Sequence, residues 1–389
     1  MYNSIMKNIP FLQRFAYRFL YIVCTPLTRL KFGYRAKKAP KIDGPYIVVS
    51  NHTTDWDPIF VGLSFKRHMR YVASEHVYRM GFASKLIKLF AAPVSRLKGS
   101  TDSAAALAII RALRQGINIC LFAEGNRTFN GVTGEIHPAT AKLIKSSKAS
   151  LVTYKLKGGY LLSPRWSKNM RKGSISGEVV SIYSPEDIAA MNNDEINSVL
   201  KNDLFENAFE TQKENMIKYR GKELAVWLDK AFCVCPKCKK IGGISCVDNK
   251  IFCDCGLEFY IDEYGFFFGD NAPFSTALEW DNMQNDYFSE LINTCLDSSL
   301  PLFSDDNQTL IGLNKDHDTF VAARGRLTMY PDRIEIGDKT FNISDIGNMA
   351  VHGKSTLVFS CSDSHYELKH SSNARKYLIC YEQITAQGV

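Results

Sequence analysis

A histidine and an aspartate stand five positions apart in Asn51-His52-Thr53-Thr54-Asp55-Trp56-Asp57-Pro58, directly after the apolar run Tyr46-Ile47-Val48-Val49. An imidazole serves as a base when a carboxylate holds its tautomer and steadies the imidazolium that forms. On an ideal helix five positions span about 500°, which leaves the two side chains roughly 140° apart. They meet only if the segment begins as a turn and becomes helix near Pro58. Asp55, three positions from His52, is the rival carboxylate and reads as a helix cap. A second chemical element follows another apolar run. Ile117–Phe122 passes into Ala123-Glu124-Gly125-Asn126-Arg127-Thr128, and between the two elements Ala92-Pro93-Val94-Ser95 ends in the cation Arg96. Strand-then-turn contexts of this kind deliver side chains to the carboxyl end of a sheet, where α/β proteins build sites.

In order and spacing these elements resemble the glycerolipid acyltransferase superfamily, in particular the 1-acyl-sn-glycerol-3-phosphate (lysophosphatidic acid) acyltransferase family. The N-H-x4-D motif is matched by Asn51, His52 and Asp57. The basic loop is matched by Arg96, and E-G-[TN]-R-[ST] by Glu124, Gly125, Asn126, Arg127 and Thr128. The resemblance covers about residues 35–200. It implies acyl transfer from acyl-CoA or acyl carrier protein to a glycerol hydroxyl, with no organic cofactor and no acyl-enzyme. In that scheme His52 is the base and Asp57 orients it. Arg96 and Arg127 hold the acceptor's phosphate, and Gly125 lets backbone approach it. Glu124 braces Arg127 or positions the acceptor. Glycerol 3-phosphate and other lysophospholipids are alternative acceptors. One departure stands out: the family's fourth motif carries a proline in a strand, and Ser150–Leu156 has Thr153 there.

The elements that must position these residues alternate between about 40 and 200. Candidate strands lie at 46–50, 69–73, 91–95, 117–122, 150–156 and 175–182. Candidate helices lie at 58–65, 77–90, 101–115, 138–147 and 186–202, and Ser100-Thr101-Asp102 reads as a cap for the third. The expected architecture is α/β, a mostly parallel sheet flanked by helices, followed by a small zinc ribbon and a β-rich C-terminal domain. Residues 1–35 read as an amphipathic membrane-association segment. There Arg14 and Arg18 share a face, the uncharged run is too short to span, and Pro26 is expected to interrupt any long helix. The acyltransferase domain is expected over 36–230, with 203–230 a charged helical linker. A zinc-ribbon-like module follows over 231–262 and a β-rich domain over 263–389.

The chain has 389 residues and a net charge of +8, which hides an asymmetry. Residues 1–175 hold 29 Lys+Arg and 7 Asp+Glu, a balance of +22, and the remainder holds 19 and 33. A front half this basic favours an anionic partner, above all a membrane surface or a phosphorylated substrate. Nucleic acid is not expected as a partner, since the ribbon segment itself is not unusually basic. A zinc-ribbon nucleic-acid-binding protein, or a lipid-binding scaffold working through its tail, remains the reading from another class. Lysophospholipid and acyl thioester are the expected small partners, with acyl carrier protein a further one. The expected location is the cytoplasmic side of a membrane, peripheral or monotopic.

Eleven cysteines include five scattered ones and six crowded into residues 233–255. An odd count with one dense cluster points to a reducing compartment and a metal. Cys235, Cys238, Cys253 and Cys255 have metal-knuckle spacing for a closed, structural zinc, with Cys233 or Cys246 as possible replacements for one of them. A hairpin is expected between the pairs, turning at Asp248-Asn249. The tail resembles a pleckstrin-homology-like barrel: short strands near 309–313, 318–323, 326–330, 333–336, 339–343, 348–352, 355–360 and 364–369, then a final helix.

Overall fold

A computed structural model describes residues 11–65, 67–74, 93–96, 103–296, 300–313, 319–362, 364–369 and 373–387. The expected helix at 77–90 and the cap at 100–102 lie outside the described residues. The chain forms two compact units. Among the described residues, one comprises those up to 221 apart from 166–169, and the other comprises 166–169 together with those from 222 on.

The first unit is built on a seven-stranded sheet. Its strands are β1 (Arg35–Ala36), β2 (Tyr46–Ser50), β3 (Met69–Ser74), β4 (Val94–Arg96), β5 (Asn118–Phe122), β6 (Ser150–Lys157) and β7 (Ser176–Tyr183), in the order β1-β7-β6-β2-β5-β3-β4. Pairings are parallel except β6 with β7. The helices are α1 (Phe11–Phe32), α2 (Asp57–Ser64), α3 (Ser103–Arg114), α4 (Ala139–Ser147), the single turn α5 (Gly159–Leu162), α6 (Pro185–Ala190), α7 (Asn193–Leu204) and α8 (Ala208–Asn215). The mostly parallel α/β sheet flanked by helices is thus the observed fold. Strand β2 is buried at all five positions because helices cover both faces of a parallel sheet. Ile47 and Val49 pack with Ile119, Leu151, Ile109, Ile144 and Leu200 in one core. On the other face Tyr34 stacks on Phe60 and bonds Tyr154, whose hydroxyl also meets Ser64.

Two helical expectations are corrected. The segment 186–202 is two helices, because Ser184 and Asn192 each close a capping box and Asn192 starts a new helix. The stretch 203–230 is helical only over α8 and a 3-10 turn at Leu228–Lys230. Met216, Glu223 and Trp227 adopt positive φ, which stops helix propagation.

Pro26 does not interrupt α1, which runs 22 residues through it. Packing on α2 holds both halves. The Tyr17 hydroxyl lies 2.8 Å from the carbonyls of Gly62 and Phe65, and Phe32 packs on Trp56 and Phe60. Cys24 and Thr28 are buried between these anchors. The opposite face carries Phe15, Phe19, Ile22, Val23, Leu27 and Leu30, all exposed, with Leu30 at 87%. Among the described residues no helix is long and apolar enough to cross a membrane.

The second unit holds two antiparallel sheets. The smaller has β8 (Ile244–Val247), β9 (Lys250–Cys253), β10 (Leu257–Ile261) and β11 (Phe267–Phe268), in the order β11-β10-β9-β8. Asp248, at φ 53°, makes the expected turn between β8 and β9. Helix α9 (Ala277–Cys295) follows, and Trp280 packs against Phe232, Phe259 and Phe267, so helix and hairpins share one core. The larger sheet has β12 (Phe303–Leu313), β13 (Thr319–Met329), β14 (Arg333–Ile336), β15 (Lys339–Asn342), β16 (Ile346–His352), β17 (Thr356–Cys361) and β18 (Ser364–Lys369), followed by α10 (Ala374–Gln387). Its order is β15-β14-β13-β12-β18-β17-β16. The strands expected at 318–323 and 326–330 are one, β13. Gly325 and a register shift opposite Asn307 bend it without breaking the pairing.

Candidate active site

His52 sits just past β2, in a turn that becomes helix α2 at Asp57. This path brings the two side chains together: His52 Nδ1 lies 2.8 Å from Asp57 Oδ2. The Asp57 carboxylate is fully buried, and it also accepts the amides of Thr53 (2.6 Å) and Thr54 (2.9 Å) and the Thr54 hydroxyl (2.7 Å). So many donors fix the carboxylate's orientation. The imidazole stacks on Phe122 at the end of β5, with centroids 4.4 Å apart. Asn51 bonds the Leu156 backbone in both directions and ties the turn to β6.

The loop after β5 grips His52 by its backbone. Glu124 accepts the His52 amide at 2.6 Å and the Gly134 amide at 2.7 Å, and the Thr128 amide donates to the His52 carbonyl. Burial pushes the Glu124 carboxyl up to about 8, against the pull of those two amides. The expectation that Glu124 braces Arg127 is therefore corrected, since its oxygens are committed to two backbone amides. Arg127 instead pairs with Asp55, Nε to Oδ1 at 3.3 Å, and its carbonyl accepts from Arg165. Asp55 does not cap α2: its exposed carboxylate points to Arg127, and the helix has no side-chain cap. Gly125 has φ 69°, and a Cβ there would meet nothing within 4 Å, so the loop is open on that side. The Thr128 hydroxyl accepts from the Gly131 amide and donates to Asn130. Asn126 follows Gly125 in the same turn and is half-buried. Arg96 ends β4, paired in register with Ser74, and its side chain lies outside the described part.

A small cleft adjoins the imidazole, with about 240 Å³ of unfilled space including its open mouth. His52, Glu124 and Thr128 line it, together with Thr133, Tyr160 and Glu206. Arg127 and Gly125 are not in its lining. Gly159 forms part of the wall, where a Cβ would fall 2.1 Å from Thr53 Oγ1. Thr153, in the place of the expected proline, is buried in β6 at a register shift against β7. Its hydroxyl donates to Asp203 at 2.7 Å and accepts the Ser181 amide at 3.0 Å.

Residues 30–157 match the family model of acyltransferases, a span that holds His52, Asp57 and the Glu124–Thr128 loop. This stretch is an acyltransferase domain. About half of the chain is also similar to the 1-acyl-sn-glycerophosphate acyltransferase PlsC of Thermotoga maritima. That likeness is 15% identity over 51% of this chain and 81% of the other, with a TM-score of 0.43. No curated protein matches the chain.

Sequence reasoning missed the far wall of the acyltransferase domain's cleft. Gly158-Gly159-Tyr160 falls between two expected strands where no element was expected, and Glu206 falls in the expected charged linker. The paired glycines beside an aromatic were the available signal, while nothing in the local sequence marked Glu206.

In the second unit the sulfur atoms of Cys235, Cys238, Cys253 and Cys255 lie within 4.8 Å of one another. Sγ separations are 3.7 Å for Cys235 and Cys255, and 3.8 Å for Cys238 and Cys253. These four can close on one metal ion. Cys233 and Cys246 stand outside the group. Lys239 (φ 60°) and Gly256 (φ 82°) make the tight turns behind the two cysteine pairs.

Proposed function

We propose that the acyltransferase domain moves a fatty acyl group from a thioester donor, acyl-CoA or acyl carrier protein, to the free hydroxyl of a lysophospholipid. The motifs favour 1-acyl-sn-glycerol-3-phosphate as acceptor, giving phosphatidic acid. The observation that carries the reading is the His52–Asp57 pair beside a cleft. With Nδ1 bound to Asp57, Nε2 is the nitrogen left to take a proton. As the acceptor oxygen attacks the thioester carbon, its proton passes to Nε2. The tetrahedral adduct then collapses, the C–S bond breaks, and the imidazolium protonates the departing thiolate. No side-chain nucleophile is needed.

Arg127 supports the acceptor's phosphate. Its present partner Asp55 is 80% exposed, so a phosphate can displace that carboxylate at little cost. Arg96 is a second candidate cation at the end of β4, two strands from β5 in the same sheet.

We assign the four-cysteine frame to structural zinc. A tetrahedron of Zn–S bonds of about 2.3 Å has edges of about 3.8 Å, in line with the sulfur separations of 3.7 and 3.8 Å. Four thiolates leave no open position, so the metal would hold the fold and take no part in acyl transfer.

The outward face of α1 is the membrane contact in this reading. Its exposed apolar residues would enter the headgroup boundary, while Arg18 and Arg29 beside them meet anionic lipid.

The test is an acceptor screen with purified protein and a labelled thioester, comparing lysophosphatidate, glycerol 3-phosphate and other lysophospholipids. Transfer to at least one is expected. Thioester turnover with none of them would sink the proposal.

A further inference from the structure

Glu206 belongs to the cleft wall, and its side chain has an unmet bond. The residue is 6% exposed, and its Oε1 has no hydrogen-bond partner among the described residues. A buried carboxylate oxygen without a donor is costly, and such an atom in a folded protein calls for an explanation.

Its position is fixed by its backbone. The Glu206 carbonyl accepts the Thr133 amide at 3.0 Å, and its amide donates to Thr133 Oγ1 at 2.9 Å. Next to it the Ala208 amide donates to the Gly131 carbonyl at 2.9 Å. These bonds clamp 206–208 onto 131–133, and both segments face the same cleft as His52. Burial raises the carboxyl above the usual range, while Thr211, Lys157 and Lys155 pull it back. The group is thus held in a partly dry place, close to the proposed reaction centre, with one oxygen idle. Glu206 also lies beyond the stretch matched to the acyltransferase family.

We propose that Glu206 Oε1 accepts a hydrogen bond from the acceptor lipid, so that the enzyme selects lysophospholipids carrying a second donor besides the reacting hydroxyl. The inference rests on the acyltransferase reading and moves its favoured acceptor from the lysophosphatidate that the motifs suggest to a lysophospholipid whose headgroup carries a donor. A carboxylate here disfavours a bare phosphate at the same spot and favours a hydroxyl or an ammonium in the headgroup. The reacting hydroxyl is left to His52, and the phosphate to the cations.

The experiment compares kcat/KM for lysophosphatidate, lysophosphatidylglycerol and lysophosphatidylethanolamine in the parent chain and in Glu206→Leu and Glu206→Gln. The parent is expected to prefer one of the two donor-bearing headgroups by about tenfold, the scale of one satisfied buried acceptor. Glu206→Leu should bring the three acceptors to within about twofold of each other. Glu206→Gln keeps a carbonyl acceptor, so it should retain a hydroxyl preference but lose an ammonium preference. Should the leucine variant not fold, Glu206→Asp withdraws the oxygen by about 1.5 Å and should erode the same preference. A parent that favours lysophosphatidate overturns the inference. So does a preference that persists in a folded Leu or Asp variant. Transfer to none of the three by the parent chain overturns the acyltransferase reading and this inference with it. Transfer with an order indifferent to residue 206 overturns this inference alone.

Discussion

Asp57 Oδ2 meets His52 Nδ1 at 2.8 Å while accepting the Thr53 and Thr54 amides at 2.6 and 2.9 Å. The carboxylate is therefore locked before it touches the imidazole, and the ring's tautomer follows from bonds made by backbone. The imidazole itself is held by its bond to Asp57 and by its stack on Phe122.

His52→Ala should cut acyl transfer by about 10²–10⁴-fold, the usual share of a positioned general base. Its melting temperature should stay near the parent's. Thioester turnover and calorimetry check both halves, and normal turnover in a folded variant would remove the mechanism.

Arg127→Ala should raise the acceptor KM by about tenfold, since it removes a bidentate phosphate partner worth roughly 1–2 kcal/mol. The donor KM should hardly move. Initial rates over a grid of both substrates separate the two, and equal effects on both would refute the assignment.

Metal analysis should find one zinc per chain. It should be lost in Cys235→Ser and Cys253→Ser and kept in Cys246→Ser, which lies outside the four-sulfur group. A chelator should lower the melting temperature of the parent and leave the Cys253→Ser variant unchanged. Melting of the parent that ignores the chelator would argue against a structural ion.

His68 gives a pH-dependent stability. It is 8% exposed, and burial, with the charge of Arg70 adding to it, lowers its pKa from 6.5 to about 4. The folded chain thus holds it neutral where the unfolded chain would charge it. Its contribution is complete above about 6.5 and is lost as pH falls toward 4. The effect is on the order of 3 kcal/mol at full loss. Subtracting the pH–stability curve of His68→Phe from that of the parent should expose this slope, and parallel curves would contradict it.

Ile22→Asp in α1 should leave thermal stability unchanged, because Ile22 is 70% exposed. Sedimentation with anionic vesicles should fall by about tenfold, given the weight of a charge placed in an interfacial apolar face. Binding of the parent should also weaken with added salt. Equal sedimentation of parent and variant would dismiss α1 as the contact.

The parts of this molecule that could be read from sequence are those fixed by short-range chemistry. The apolar run before His52 made β2, and Asp248-Asn249 made the turn between β8 and β9, because period and turn residues act locally. The His52–Asp57 meeting followed from the need for a turn before Pro58. What escaped reading depended on distant partners. Pro26 stays inside a helix because Tyr17 and Phe32 are anchored to α2 on either side of it. Glu124 turned out to serve two amides, one of them from Gly134, a contact no local pattern announces. Two expected strands fused at Gly325 because the opposing strand could absorb the bend.

The segment just ahead of the cysteine frame is stitched on several sides. Trp280 Nε1 donates to the Val234 carbonyl, Gln284 bridges Cys233 and Ala231, and Arg375, paired with buried Asp281, reaches the Ala231 carbonyl. Anyone dissecting this chain for expression should keep the metal knuckle and the last helix on one fragment. A piece ending at residue 262 would lose the indole, the amide and the guanidinium that hold residues 231–234, and should come out of cells as an aggregate even when fully loaded with metal.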